Sequence, residues 1–182
     1  MFLGLMTKIF GFKLLLFKIV NVIFNFFAVF FFYKTFVKRI PYIVLVPVMI
    51  FVSCNHLIQY FASMTFTEAF YLFLQSLFFY SFFKLYDGLQ QDANPKTHIK
   101  KWLTLGLFTF LIATCKSVAI VAVPVLIFYF LIEKQWKNAG FALGSYLIFK
   151  IPYELLVKII WGTQNQFAGQ SKILLLKDPY DK

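Results

Sequence analysis

Apolar runs of near-constant length, broken by short polar or basic clusters, organise this chain from end to end. Six stretches offer the roughly 20 apolar residues that a helix needs to cross a bilayer, or approach that number. They are Leu14–Tyr33, Tyr42–Tyr60 (with Pro47), Phe66–Phe83, the shorter Trp102–Cys115, Val118–Ile132 (with Pro124) and a sixth from Ala139 to Ile151. The sixth is expected to continue past Pro152 as an interfacial helix ending at Trp161. Between the third and fourth lies a polar loop, YDGLQQDANPKTHIKK, in which Asn94-Pro95 is a turn signal. The pattern predicts an all-α fold, a polytopic bundle of about six helices. It spans residues 1–161, and residues 162–182 form an extracytoplasmic loop or the start of a further C-terminal part. No internal repeat is visible.

Composition strengthens the membrane reading. Of 182 residues 61% are hydrophobic and only 14% charged, where a soluble domain carries about 25% charged residues. Phe alone occurs 27 times. So apolar a chain lacks the polar surface to face water all round, and lipid is its natural solvent. The net charge of +11 would suggest nucleic acid in a soluble protein. Here the cations fall in short clusters between apolar runs, which argues for topology and against nucleic-acid binding. The N-terminal stretch spreads Lys8, Lys13 and Lys18 through an apolar run and has no small-residue cleavage site, so it reads as mature chain.

Charge also orients the bundle. The loops after helices one, three and five hold Lys34, Lys38, Arg39, Lys84, Lys96, Lys100, Lys101, Lys134 and Lys137, nine of the 18 basic residues. The two intervening loops hold a single Lys between them. Loops rich in Lys and Arg face the cytoplasm, which puts both ends of the chain outside, N-out and C-out. The three early lysines run against N-out, unless preceding helices of a longer protein set the orientation.

The polar residues that need a reason gather at the outer side. Glu68 stands at the mouth of the third helix, where Thr65-x-x-Glu68 has the form of a capping box. A carboxylate at that depth also suits a metal ion, an acceptor or a phosphate site. Lys116 sits in the tight turn between helices four and five. It either snorkels to interfacial phosphate or grips the phosphate of a lipid-linked substrate. His56, with Asn55 and Gln59, ends the second helix on the same side and reads first as an interfacial hydrogen-bonding residue. Lys150, Glu154 and Lys158 fall at i, i+4 and i+8, an ion-pair ladder on one helix face. Asp178 and Asp181 in the tail suit an ion or an ordinary turn. Cys54 and Cys115 form no C-x-x-C pair and no zinc spacing, and both fall near outer helix ends, where a disulfide stays open. The chain has no P-loop, dinucleotide fingerprint, nucleophile elbow or H-E-x-x-H.

Two of these loops resemble the GT-C superfamily of multi-pass glycosyltransferases, the polyprenyl- and dolichyl-phosphate-sugar transferases akin to protein mannosyltransferases and aminoarabinose transferases. The first likeness lies at Asn55, Tyr60, Ala62, Ser63, Thr67 and Glu68, a short loop from which the next helix begins at the acidic residue. The second lies at Ala113, Thr114, Lys116 and Pro124, and the similarity runs from about Leu14 to Pro152. It implies a membrane-embedded enzyme of the cell envelope, in the bacterial cytoplasmic (inner) membrane. Such an enzyme moves a sugar from a polyprenyl-phosphate donor to an acceptor at the outer face. Lys116 would hold the donor phosphate, Glu68 would form the wall of the substrate site or hold a divalent metal ion, and His56 would be the third substrate-binding residue. The family's first outer loop carries an acidic pair, taken as catalytic base and metal site, and this sequence has none. The resemblance therefore implies a middle segment of a longer enzyme, or a shortened relative, with its base outside this chain. The competing readings are a non-enzymatic multi-pass protein, such as a flippase-like or assembly subunit, and a small-solute transporter.

Overall fold

The computed structural model describes residues 13–56, 68–92 and 94–161, together with Lys8. Every element among them is helical. α1 (Leu14–Phe36), α2 (Tyr42–Ser53), α3 (Glu68–Gln91), α4 (Ile99–Cys115), α5 (Ala122–Ile132) and α6 (Trp136–Trp161) follow in order. Short 3-10 turns at Pro95–His98 and Ser117–Val121 lead into α4 and α5.

Neighbouring rings fix how the helices lie. Phe24 of α1 packs on Phe70 and Phe73 of α3 at 5.1 and 5.3 Å between centroids. Phe31 meets Tyr80 at 5.5 Å and Phe36 meets Phe83 at 5.7 Å. The contacts advance together along both chains, so α1 and α3 run parallel, with α2 as the return stroke between them. The same holds for α4 and α6. Trp102 lies 6.0 Å from Phe141, and Phe110 lies 5.3 Å from Tyr153. Between these pairs α3 and α4 run antiparallel, with Glu68 beside Lys116 at one end and Gly88 beside Lys101 and His98 at the other. α5 lies on α6 and reaches across to Phe82 of α3 and Trp102 of α4 through Tyr129 and Phe130. The core therefore sits among α3–α6, where Trp102, Phe130, Leu85 and Leu105 are essentially sealed from the exterior. α2 touches α1 and buries only Leu45.

At Gly106 α4 and α6 come so close that a β-carbon would collide with the backbone carbonyl of Ser145. Small residues let helix backbones approach in this way, a common device where packing must replace the hydrophobic effect.

Two helices are long and apolar enough to cross a membrane: Leu15–Phe36 and Trp136–Ile159. A buried core helix of a soluble protein passes the same length and composition test. Here only 17% of each stretch is buried, so these two present their apolar side chains outward. Leu15, Ile43, Phe51, Val118, Ile132 and Ile159 are exposed as well, and large exposed apolar surface marks a protein or membrane contact.

The element boundaries depart from the sequence expectation in several places. α2 is described for 12 residues, about 18 Å of helix, short of a hydrocarbon core about 30 Å thick. Residues 57–60 of the expected second stretch, Gln59 and Tyr60 among them, lie outside the described residues, as do Ala62, Ser63, the Thr65 cap, Thr67 and the whole 162–182 tail. α3 runs on past Phe83 to Gln91, through half of the expected polar loop. Its continuation is amphipathic: Leu85 and Gly88 are buried while Lys84 and Asp87 face out. Asp87 is also held by Arg39, whose guanidinium donates to the carboxylate and to the carbonyl of Thr35 at 2.8 Å. The guanidinium lies over the Phe83 ring at 4.4 Å. α5 is shortened because Ser117–Val121 adopts a 3-10 turn. α6 starts at Trp136 and passes Pro152 without a break, so core and interfacial pieces form one helix. Its Lys150–Glu154 pair forms at 3.0 Å, two members of the expected ladder.

The Asn94-Pro95 turn is seen as predicted. Asn94 Oδ1 accepts from the amide of Lys96 at 3.1 Å and opens the 3-10 turn with Pro95. Asp92 Oδ1 accepts the Asn94 amide at 2.9 Å. That backbone bond, with a side-chain hydrogen bond from Thr97 and the neighbouring His98 charge, holds the Asp92 carboxyl below its ordinary pKa.

Candidate functional site

α3 begins at Glu68 and α4 ends at Cys115, and the antiparallel pairing brings these two ends together. Each charged residue matches the end it occupies. Glu68 sits in the first turn of α3, where unpaired N–H groups leave partial positive charge. Lys116 caps α4, where carbonyls leave partial negative charge. Its extended backbone, φ −135° and ψ 130°, stops the helix, and its amide still donates to Ile112 at 3.1 Å.

The two side chains then close on each other. Lys116 Nζ donates to Glu68 Oε1 at 3.0 Å across 48 residues of sequence. The ammonium also stands 5.3 Å from the centroid of Tyr71, one turn along α3 from Glu68, a cation–π distance. The pair is partly open, with side-chain exposures of 36% for Lys116 and 31% for Glu68. Glu68 Oε2 points inward and has no hydrogen-bond partner among the described residues. An ammonium has three donors, and Glu68 takes one of them.

Two of the three sequence-predicted residues are thus brought together. His56 lies just past α2, exposed and engaged in interactions of its own. By chain order it belongs to the same end of the bundle as Glu68. Glu68 is paired with an ammonium, and no group of three or more His, Cys, Asp or Glu side chains that could hold a metal ion occurs among the described residues. Cys54 and Cys115 are both free thiols, so the disulfide left open by the sequence is not formed.

The sequence reading missed Tyr71. Its signal was the i, i+3 spacing from Glu68, which places both on one helix face. It also missed the Arg39–Asp87 clasp, since both residues fall in segments read as loops.

No family model, curated protein or solved structure matches the chain.

Proposed function

We propose that this chain is a multi-pass membrane protein whose basic end faces the cytoplasm. At its opposite end Lys116 holds the phosphate of a polyprenyl-linked sugar, as part of a GT-C-type glycosyl transfer in the bacterial inner membrane. The observation that carries this reading is the meeting of Glu68 and Lys116. They belong to the two loops that bear the resemblance, they are far apart in sequence, and they share one end of the bundle. The alternating helix directions support the multi-pass part. Arg39, Lys101 and the other clustered cations fall at one end, and the pair falls at the other. α3, at 24 residues, reaches about 36 Å.

In such a transfer the acceptor hydroxyl attacks the sugar and the lipid phosphate departs. Lys116, with two donors unengaged among the described residues, stabilises the charge on that phosphate. Glu68 fixes the ammonium over Tyr71 and keeps its position when no ligand is bound. The group that deprotonates the acceptor is not supplied by an adjacent acidic pair, since the sequence contains none.

The test is binding of polyprenyl phosphate to the purified chain in lipid nanodiscs. Lys116→Ala is expected to weaken binding by tenfold or more, while Lys158→Ala, on α6, leaves it unchanged. Equal binding by the parent and Lys116→Ala would take Lys116 out of the site.

A further inference from the structure

The flank of α4 and α6 carries a cleft of roughly 510 Å³ toward the basic end, within the range of small-molecule sites. Ile99, Trp102 and Leu103 form one wall, and Phe141 and Ile148 the other. Gly140 and Gly144 keep it open: a β-carbon at either meets nothing within 4 Å. This contrasts with Gly106 on the same helix pair, where the glycine is filled against backbone. The lining is almost wholly apolar except at the rim, where exposed Lys137 stands in the first turn of α6. Trp102, 1% exposed, lines the cleft, and its indole N–H has no partner among the described residues.

An apolar trough about 16 Å long, from Lys137 to Ile148 along α6, with one cation at its rim, has the polarity of an anionic amphiphile. We propose that it seats one acyl chain of an anionic phospholipid of the surrounding bilayer, whose head-group phosphate is held by Lys137. Exposed Trp136 beside it is the kind of ring that anchors at the head-group level. A spacing of Gly140-x-x-x-Gly144 also serves helix pairing. A second copy docking there in parallel would bring its own Lys134 and Lys137 against those of the first, and like charges repel. A lipid phosphate neutralises them instead. This inference rests on the membrane-embedded reading and is independent of the sugar-transfer reading, whose residues lie at the other end.

The experiment uses the full chain in nanodiscs with Trp136→Phe and Trp161→Phe, leaving Trp102 as the sole tryptophan of the three. Lipids brominated on the acyl chain quench an indole at short range, so a chain seated in the cleft that Trp102 lines reaches it. Brominated phosphatidylglycerol is expected to quench at a lower mole fraction than brominated phosphatidylcholine. Lys137→Gln, which disturbs no packing, should reduce that preference about fivefold, the usual effect of one basic residue near an anionic surface. Gly144→Leu should abolish it by filling the trough. Equal quenching by the two lipids, or a preference unchanged in Lys137→Gln, would overturn the proposal. So would a dimer that Gly144→Leu converts to monomer, which assigns the cleft to a second copy. Polyprenyl phosphate binding measured on the same samples separates the two readings: Lys137→Gln retains it.

Discussion

At the scale of single residues, the Glu68–Lys116 pair combines three modest effects: a carboxylate at a helix start, an ammonium at a helix end, and a direct 3.0 Å bond between them. Both side chains are about a third exposed, so solvent screens the attraction. A double-mutant cycle with Glu68→Gln and Lys116→Met should give a coupling of about 0.5–1 kcal/mol, shrinking as salt is raised. Thermal unfolding of the four proteins measures it, and a coupling of zero would mean the pair does not hold the two helix ends. The sequence located both residues because charges are scarce in an apolar chain and stand out. It did not reveal that they neutralise each other, because contact across 48 residues depends on the antiparallel pairing of α3 and α4. Nothing in local spacing encodes that pairing. His56 stood out equally, and it lies exposed just past α2.

Among the elements, glycine divides into two kinds. Gly106 is tight against the Ser145 backbone, so Gly106→Val should push α4 from α6 and cost about 1–3 kcal/mol. Gly140→Ala, on the open side of α6, should change stability by less than about 0.5 kcal/mol. Denaturation in mild detergent compares them directly, and equal losses would contradict the packing described. The turn between α3 and α4 makes a separate prediction. The Asn94 amide lowers the Asp92 pKa, so the carboxylate stabilises the fold above its unfolded value near pH 4. That contribution fades as pH falls through the lowered folded value. The difference in melting temperature between parent and Asp92→Asn should therefore be present at about pH 7 and shrink as the pH is taken below about 4. The sequence marked this turn correctly, since Asn-Pro chemistry is local. It ended α3 too early, because Lys84 and Asp87 read as loop residues while the buried face beneath them, Leu85 and Gly88, continued the helix.

For the whole molecule, the alternation of helix directions sorts the polar groups into two ends. Cys54 and Cys115, free thiols at the ends of α2 and α4, should both react with a membrane-impermeant maleimide from one side of intact membrane vesicles. The variant Lys134→Cys, in a background with both native thiols replaced, should react only from the other side. Labelling of position 54 and position 134 from the same side would end the multi-pass reading. The helical class and the apolar surface were legible in composition alone. The parallel pairing of α1 with α3 and of α4 with α6 was not, because uniform Phe-rich stretches match one another in many registers and only the assembled rings choose one.

That parallel pairing has a consequence for how the chain is made. α1 emerges from the ribosome two helices ahead of the partner whose rings it packs against, and Arg39 is threaded long before Asp87 exists to receive it. The first half of the protein must wait, loosely held, until Gln91 has been delivered. Biogenesis here is a matter of patience, and a stalled or truncated chain ending after α2 should be a ready substrate for proteolysis.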